Sequence, residues 1–157
     1  MIQVAIPGRR KMLEIEHLVL DFNGTLALDG RILPGVADLL RALAQEVNVH
    51  VVTAGTFGGV EEQVARIPCV LKVLSGPGQT RQKARYVKLL GAGRTACVGN
   101  GRNDRDMLRQ AALGIVVVQE EGAATESLMA ADVVCRDIAS ALGLLLNPLR
   151  LKATLRS

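Results

Sequence analysis

Short apolar runs rich in Val, Ile and Leu alternate with longer amphipathic segments from residue 14 to near the end of the chain. Strands covered on both faces are nearly continuous apolar runs, whereas helices repeat their apolar positions every three or four residues. The apolar runs predict six strands, over residues 15–20, 47–53, 70–74, 95–99, 114–118 and 132–135. The periodic segments predict six helices, over residues 34–45, 58–67, 80–90, 104–112, 123–130 and 138–146.

The order of these elements indicates the fold class. Strict alternation of strand and helix predicts parallel pairing through right-handed crossovers, and therefore an α/β fold with a doubly wound parallel sheet. The N-terminus differs, because apolar residues 2–6 and 12–15 flank a turn-forming Pro-Gly pair and predict a short N-terminal antiparallel β-ribbon. We find no repeat or linker, so residues 1–157 are predicted to form a single domain. The apolar residues 142–151 are expected to pack across this domain or against a second subunit.

Composition excludes several classes of protein. The chain has two Phe, one Tyr and no Trp, and its basic residues are scattered, so we expect no nucleic-acid partner that stacks bases on exposed rings. No apolar run approaches the roughly 18 residues of a membrane helix, and no signal peptide is visible at the N-terminus. Cys69, Cys97 and Cys135 lie far apart in apolar runs, as expected of reduced thiols. These features together predict a cytoplasmic location.

Polar residues follow several predicted strands directly. Asp21 ends the first strand of the sheet, with Asn23 two residues later; Thr53 ends the second strand and Asn100 follows the fourth. Lys83 lies in the predicted first turn of the third helix. Because ligands of open α/β sheets bind beyond the carboxyl ends of the strands, we expect these side chains to surround one site.

Their types predict phosphoryl transfer. A carboxylate such as Asp21 can attack phosphorus and form an aspartyl phosphate, which divides one difficult step into two. Two anions must approach each other, so we expect Mg²⁺ as the cofactor and a phosphorylated substrate as the partner. A lysine, a hydroxyl and the backbone of small residues would hold the phosphate. The predicted phosphate-binding residues are Gly24, Thr53, Ala54, Gly55 and Lys83, and we also expect the glycine-rich residues 55–59 to form a phosphate-side loop.

These motifs resemble those of the haloacid dehalogenase (HAD) superfamily. The similarity covers roughly residues 16–120 and rests on four motifs in order: Asp21-Phe22-Asn23-Gly24-Thr25-Leu26, Thr53, Lys83 and Gly99-Asn100-Gly101-Arg102-Asn103-Asp104. The last motif, with Leu113-Gly114-Ile115 after it, is similar to the phosphorylation domain of P-type ATPases. The chain therefore looks like a member of the soluble, P-type-ATPase-like branch.

The resemblance implies roles for these residues. Asp21 would be the phosphorylated nucleophile, and Thr53 and Lys83 would bind the phosphoryl group. The catalytic positions would be Asp21, Asn23, Thr53 and Lys83. The metal site would consist of Asp21, the backbone carbonyl of Asn23, Asn100 and Asp104. Asn103 and Asp104 could also cap the helix that follows them.

Two asparagines stand where the superfamily usually has acids. Most of its phosphatases carry a second aspartate as general acid and base at the position of Asn23, and an amide cannot transfer that proton. Such help is worth about 10²–10⁴ in rate, so we predict slow hydrolysis of an aspartyl phosphate. Asn100 replaces an aspartate that usually binds Mg²⁺, and the lost charge predicts weaker Mg²⁺ binding. P-type ATPases also lack the first acid, so slow hydrolysis has a functional precedent.

The spacing of the motifs leaves no room for a cap domain or for a nucleotide-binding domain before Lys83, which argues against ATP hydrolysis. Capless relatives act on macromolecular phosphates or oligomerise so that a neighbour covers the site, and a homo-oligomer is one expectation. The leading hypothesis is an enzyme, a HAD-type phosphohydrolase or phosphotransferase with attenuated turnover. The alternative is a non-catalytic phosphate-binding or assembly module with the same fold. A response-regulator receiver is rejected, because its phosphorylated aspartate ends the third strand rather than the first.

Overall fold

The computed structural model of the protein describes residues 1–55 and 59–157. The strands in these two segments are β1 (Ile2–Val4), β2 (Leu13–Ile15), β3 (His17–Asp21), β4 (Ala27–Leu28), β5 (Arg31–Ile32), β6 (Asn48–Thr53), β7 (Val70–Val73), β8 (Thr95–Gly99), β9 (Leu113–Val117) and β10 (Val133–Cys135). The helices are α1 (Val36–Leu43), α2 (Val60–Val64), α3 (Gln79–Leu90), α4 (Arg105–Gln110), α5 (Thr125–Ala130), α6 (Ile138–Leu146) and α7 (Pro148–Leu155).

Six strands form one parallel sheet in the order β10-β9-β8-β3-β6-β7. Strand β3 lies at its centre, between β6 and β8, and the chain winds outward from it in both directions. Such a reversal of strand order opens a crevice at the carboxyl ends of the central strands. The residues that end β3, β6 and β8 therefore meet at one place, and the predicted doubly wound sheet is confirmed.

Alternate residues of the central strands enter two separate apolar layers. Leu18 and Leu20 of β3 pack into the larger cluster, with α1 and α6, whereas Val19 between them packs into a smaller cluster with Val87 of α3. Burial on both faces explains why these strands are continuous apolar runs rather than alternating ones. Polar residues on such strands are tolerated chiefly at their ends, which is where the candidate residues lie.

The two ends of the chain pack together on this domain. Strands β1 and β2 form the predicted antiparallel ribbon, with Gln3 opposite Glu14. Helix α7 packs against β1 and α6, and its Leu151 has no exposed surface. The apolar C-terminal residues therefore pack across their own domain, which was one of the two expectations. In residues 1–55 and 59–157, no helix has both the length and the apolar character needed to span a membrane.

The structure corrects several element boundaries. Ile15 ends β2 of the ribbon, so the predicted first strand of the sheet begins at His17 instead. The hairpin of β4 and β5 and the last helix α7 were not predicted, because two-residue strands carry no periodic signal and a proline shortly after a helical segment usually marks its end. Pro148 instead occupies the first turn of α7, where a missing N–H costs nothing. The predicted start of α2 at residue 58 lies outside the described residues.

Candidate active site

A cavity of about 170 Å³ opens at the carboxyl edge of the sheet, beyond β3, β6 and β8. It is lined by Asp21, Asn23, Thr53, Ala54, Asn100, Gly101, Asn103 and Glu121. Five of the residues predicted from strand ends and motifs (Asp21, Asn23, Thr53, Ala54 and Asn100) are therefore together in one place. The sheet topology brings them there although up to 79 sequence positions separate them.

Lys83 lies beneath Asp21 rather than on the cavity wall. Its ammonium nitrogen is 2.5 Å from Oδ1 of Asp21 and 2.7 Å from Oδ1 of Asp104, and its side chain has no exposed surface. Helix α3 begins at Gln79, after Gly78 in the left-handed conformation, so Lys83 falls in the second turn and not in the predicted first. Arg81, Arg85 and Lys88, the other cations of this helix, are exposed. Of the four, Lys83 is the one that contacts Asp21.

Burial and the three close charges shift the pKa values of both partners. Burial lowers the pKa of Lys83, but the neighbouring carboxylates of Asp21 and Asp104 and the hydrogen bonds to them outweigh it, so the net shift is upward. Burial is the main cause that raises the pKa of Asp21 to about 7, and the negative charge of Asp104 adds to it; Lys83 and two hydrogen bonds act in the opposite direction. One lysine therefore neutralises two buried carboxylates only in part. A further cation beside Asp21 would favour its ionised form.

Thr25 joins the nucleophile loop to the neighbouring strand end. Its buried hydroxyl lies 3.2 Å from Oδ2 of Asp21 and 3.2 Å from Oδ1 of Asn100. A hydroxyl has one proton to donate, so Thr25 donates to one of these two oxygens at a time. The sequence motif contains Thr25, but no role was predicted for it. It fixes the orientation of Asp21 relative to Asn100.

Asp104 organises the loop that carries Asn100. Its Oδ2 accepts hydrogen bonds from the backbone N–H groups of Asn100 and Gly101, at 3.0 and 2.9 Å, while its Oδ1 accepts from Lys83. A Cβ atom on Gly99 would lie 2.6 Å from Asp104 Cγ, so this close packing requires glycine. Asp104 occupies the position before α4 but makes no side-chain hydrogen bond to that helix. The bond from Gly101 N–H to its carboxylate caps the 3-10 turn Arg102–Asp104 that leads into α4. It does not line the cavity, and its role as a metal ligand stays a prediction.

Apart from Lys83, the residues predicted to bind phosphate come from the end of β6 and from the loop after β3. Thr53 is buried, and its Oγ1 accepts a hydrogen bond of 3.3 Å from the N–H of Gly55. Ala54 lines the cavity next to it. Gly24 has a φ of 78°, and its own N–H donates to the carbonyl of Ala27 at 2.8 Å. Gly24 therefore has no free N–H for a phosphate oxygen, and its role is to let neighbouring groups approach the backbone closely. Residues 56–58 of the expected phosphate-side loop lie outside the described residues.

The cavity wall offers oxygen atoms that suit a hard divalent cation. The side-chain oxygen of Asn23 is buried without a hydrogen-bond partner, an arrangement that costs free energy unless a ligand or water satisfies the atom. Asp21 and Asn100 add a carboxylate and an amide oxygen, the ligand types that Mg²⁺ prefers. Within residues 1–55 and 59–157, no three His, Cys, Asp or Glu side chains form a cluster close enough to hold a metal ion. The carboxylate and amide oxygens on the cavity wall fit a hard divalent cation, which in proteins usually keeps several waters.

Sequence reasoning missed the turn after β9. Gln119 donates to the backbone carbonyls of Gly24 and Thr25, at 3.1 and 3.0 Å, and its Oε1 accepts from the N–H of Ile138 at 2.9 Å. Glu121 of the same turn lines the cavity. The signal was present in the sequence, because these residues follow a strand of the same parallel sheet at its carboxyl end.

His17 and His50 lie outside the cavity. His17 Nδ1 is 3.0 Å from His50 Nε2, and His50 Nδ1 is 2.9 Å from the hydroxyl of Tyr86. This hydrogen-bond chain joins β3, β6 and α3 and gives both imidazoles polar partners, as in a structural role.

No protein-family model matches the sequence. A curated relative is an uncharacterised protein of Methanocaldococcus jannaschii, which is 51% identical over 59 residues. The match covers 38% of this chain and 63% of that protein, so the chain spans less than two thirds of the length of the relative it matches.

Solved structures give a broader match. A structure from Legionella pneumophila assigned to the HAD superfamily (subfamily III A) of hydrolases has a TM-score of 0.71 at 19% identity, over 91% of this chain and 88% of that one. The 3-deoxy-D-manno-octulosonate 8-phosphate phosphatase of Moraxella catarrhalis, in complex with magnesium, phosphate and KDO, has a TM-score of 0.71 at 16% identity, covering 92% and 95%. The cobalt-bound phosphatase of Haemophilus influenzae has 0.70 at 13% identity, covering 92% and 94%. At these identities the likeness shows the fold, which is the Rossmann-like α/β fold of HAD hydrolases.

Proposed function

We propose that the chain is a divalent-cation-dependent phosphohydrolase or phosphotransferase of the HAD type, acting through an aspartyl phosphate on Asp21 with attenuated turnover. The observation that carries this proposal is the buried Lys83 bonded to both Asp21 and Asp104 directly behind an open cavity. A buried ion pair with two acids and one lysine is costly to keep, and a reactive carboxylate at the cavity surface gives it a use. The likeness to HAD phosphatases supports the same reading.

The proposed reaction has two steps. A carboxylate oxygen of Asp21 attacks phosphorus, an O–P bond forms, and the bond to the leaving oxygen breaks. Water then attacks phosphorus of the aspartyl phosphate, which releases inorganic phosphate and restores Asp21. Bound Mg²⁺, held by Asp21, Asn23 and Asn100, would neutralise charge on the phosphoryl oxygens. Lys83 and Thr53 would hold that group against Asp21 during both steps.

Asn23 makes both steps slow in this proposal. The leaving oxygen gains its proton from solvent, and the attacking water loses its proton to solvent, because no acid occupies position 23. Glu121 is the other acid among the described residues that line the cavity. An aspartyl phosphate formed here would therefore be long-lived.

Trapping of the phosphoenzyme tests the proposal. The full chain is incubated with Mg²⁺ and a small phosphodonor such as acetyl phosphate, and the modified residue is located by mass spectrometry after borohydride reduction. We expect labelling of Asp21 in the parent chain and none in Asp21→Asn, with Asp106→Asn on α4 as a labelled control. A phosphomonoester panel that includes 3-deoxy-D-manno-octulosonate 8-phosphate is assayed for phosphate release. No label and no release across the panel would refute the proposal.

A phosphate-binding module without turnover is the second candidate, and the neutral Asn23 and Asn100 favour it. It predicts that phosphate and beryllium fluoride bind to the chain while no phosphodonor labels Asp21. We further propose a cytoplasmic protein that acts on a phosphorylated substrate, without a nucleic-acid or membrane partner, and that assembles as a homo-oligomer over its uncapped site. The motif from Gly99 to Asp104 supports placement in the P-type-ATPase-like branch.

A further inference from the structure

Glu121 brings a carboxylate into the cavity from a turn that no motif covers. It lies between β9 and α5, and the turn is closed by a hydrogen bond of 2.8 Å from the N–H of Gly122 to the carbonyl of Gln119. Among the described residues that line the cavity, Asp21 and Glu121 are the acids. Glu120, next to it in sequence, lines a different cavity, with Arg136 and Asp137.

The Glu121 carboxylate converges on the side chain of Asn100. A Cβ atom placed on Gly24 would lie 2.4 Å from Glu121 Oε2 and 2.4 Å from Asn100 Nδ2, so these two atoms are near neighbours above the Gly24 backbone. Asn100 Nδ2 also donates to the carbonyl of Gly122 at 3.0 Å. The amide nitrogen of Asn100 is thereby tied to the turn that carries Glu121, while its amide oxygen lies 3.2 Å from the Thr25 hydroxyl.

The charges of the other site residues do not by themselves balance a divalent cation. Both oxygens of Asp104 are bonded to Lys83 and to backbone N–H groups, and Asp104 does not line the cavity. Asn100 contributes oxygen without charge. With a cation bound and both acids ionised, Asp21, Asp104 and Lys83 together carry one net negative charge. An ionised Glu121 raises it to two, which matches a divalent cation. Mg²⁺ and Mn²⁺ bind carboxylate oxygens and retain several waters, so the Glu121 carboxylate can act on a bound cation directly or through a water.

We infer that Glu121 completes the divalent-cation site by supplying the carboxylate charge that Asn100 lacks. The inference rests on the proposed function only in requiring a cation beside Asp21. A general acid in place of Asn23 is the other role open to Glu121. The cation role is favoured because the Glu121 carboxylate lies near Asn100. It makes no hydrogen bond to Asn23, whose buried side-chain oxygen has no partner, so Glu121 is not placed where the missing acid would act.

Cation affinity tests the inference without an activity assay. Mn²⁺ binding to the full chain is measured by electron paramagnetic resonance and by isothermal titration calorimetry, in the absence of phosphate. We expect Glu121→Gln to weaken binding by about tenfold or more, because ligand charge sets affinity at such sites. Glu120→Gln is the matched control and should stay within about twofold of the parent chain. Thermal unfolding of the metal-free variants checks that both fold.

A variant in which an acid is restored at another position provides the decisive measurement. Asn100→Asp combined with Glu121→Gln returns a carboxylate to the site, and we expect it to recover Mn²⁺ affinity to within about threefold of the parent chain. No saturable Mn²⁺ binding by the parent chain, or equal affinity in Glu121→Gln, would overturn the inference. Unchanged affinity with loss of phosphoenzyme hydrolysis would assign Glu121 to proton transfer instead and also overturn it. If Mn²⁺ binds in the expected pattern but Asp21 is never phosphorylated, the proposed function fails and the cation site stands.

Discussion

The ammonium nitrogen of Lys83 lies 2.5 Å from a carboxylate oxygen of Asp21, and the lysine side chain has no exposed surface. Its second partner, Asp104, is equally buried, so the two acids depend on one cation. Breaking such a group by removing one partner leaves uncompensated charge inside the protein and typically costs about 3–5 kcal/mol. The site that would bind phosphate is therefore also part of what holds α3 against β3 and the loop after β8.

Lys83→Met should lower the free energy of unfolding by about 3–5 kcal/mol at pH 7, measured by urea denaturation. Lys88→Met, which removes an exposed lysine from the same helix, should change it by less than about 0.5 kcal/mol. Adding Asp104→Asn to Lys83→Met removes one of the stranded charges and should recover part of the loss. Equal stability of the two single variants would show that the buried pair contributes nothing.

Asn23→Asp should shorten the life of the phosphoenzyme. The new carboxylate can take a proton from the attacking water, and such help is worth about 10²–10⁴ in rate. The decay of labelled Asp21 and the release of phosphate are followed after the phosphodonor is removed. Asn103→Asp is the control, because it adds the same charge to the same cavity. An equal acceleration in both variants would mean that charge, and not positioned proton transfer, controls the decay.

Much of the site could be predicted because burial on both faces of the sheet makes polar residues at strand ends conspicuous. Asp21, Thr53 and Asn100 each follow an apolar run, and the sheet topology brings the ends of β3, β6 and β8 together. Lys83 was predicted from its motif, because it lies in a helix and does not follow a strand. Its burial distinguishes it from Arg81 and Lys88, and the sequence alone does not give the rotation of α3 that buries it.

Other parts depend on contacts that no local pattern records. The bridge from Thr25 to Asp21 and Asn100 joins residues 75 positions apart, and the amide of Gln119 reaches the Gly24 carbonyl across 95 positions. Asp104 looked like a helix cap, yet its carboxylate is bonded to the preceding loop and to Lys83. A side chain with several possible partners takes the one that burial makes most costly to leave unpaired.

Gly24→Ala should impair the site more than it impairs the fold. Gly24 has a φ of 78° and Gly35, before α1, has 80°, so alanine at either position is strained by about 1–2 kcal/mol. The added methyl at Gly24 would lie 2.4 Å from Asn100 Nδ2 and Glu121 Oε2, whereas nothing lies within 4 Å at Gly35. We expect similar losses of stability by urea denaturation, with Mn²⁺ and beryllium fluoride binding weakened only in Gly24→Ala. Unimpaired binding in Gly24→Ala would refute the close approach.

The pair of His50 with Tyr86 gives the fold a pH dependence of its own. Burial, and then the neighbouring His17, lowers the pKa of His50 from 6.5 to about 4. Between these values the unfolded chain takes up a proton and the folded chain does not, so the contribution of neutral His50 is complete above about pH 6.5 and is lost as the pH falls towards 4. The loss is at most about 3 kcal/mol. Asp21, whose pKa is raised from 3.8 to about 7, acts in the opposite direction over a similar range.

His50→Gln isolates this contribution. The free energy of unfolding of the parent chain and of His50→Gln is measured by urea denaturation at intervals from pH 7.5 to pH 4, and the difference between the two curves cancels the contribution of Asp21 because both chains retain it. At pH 7.5 the parent chain should be the more stable, since it keeps the hydrogen bonds from His50 to His17 and Tyr86. The advantage should shrink as the pH falls below about 6.5, by up to about 3 kcal/mol, because only the parent chain must exclude a proton from position 50. A difference that stays constant across this range would mean that His50 titrates alike in the folded and unfolded chains.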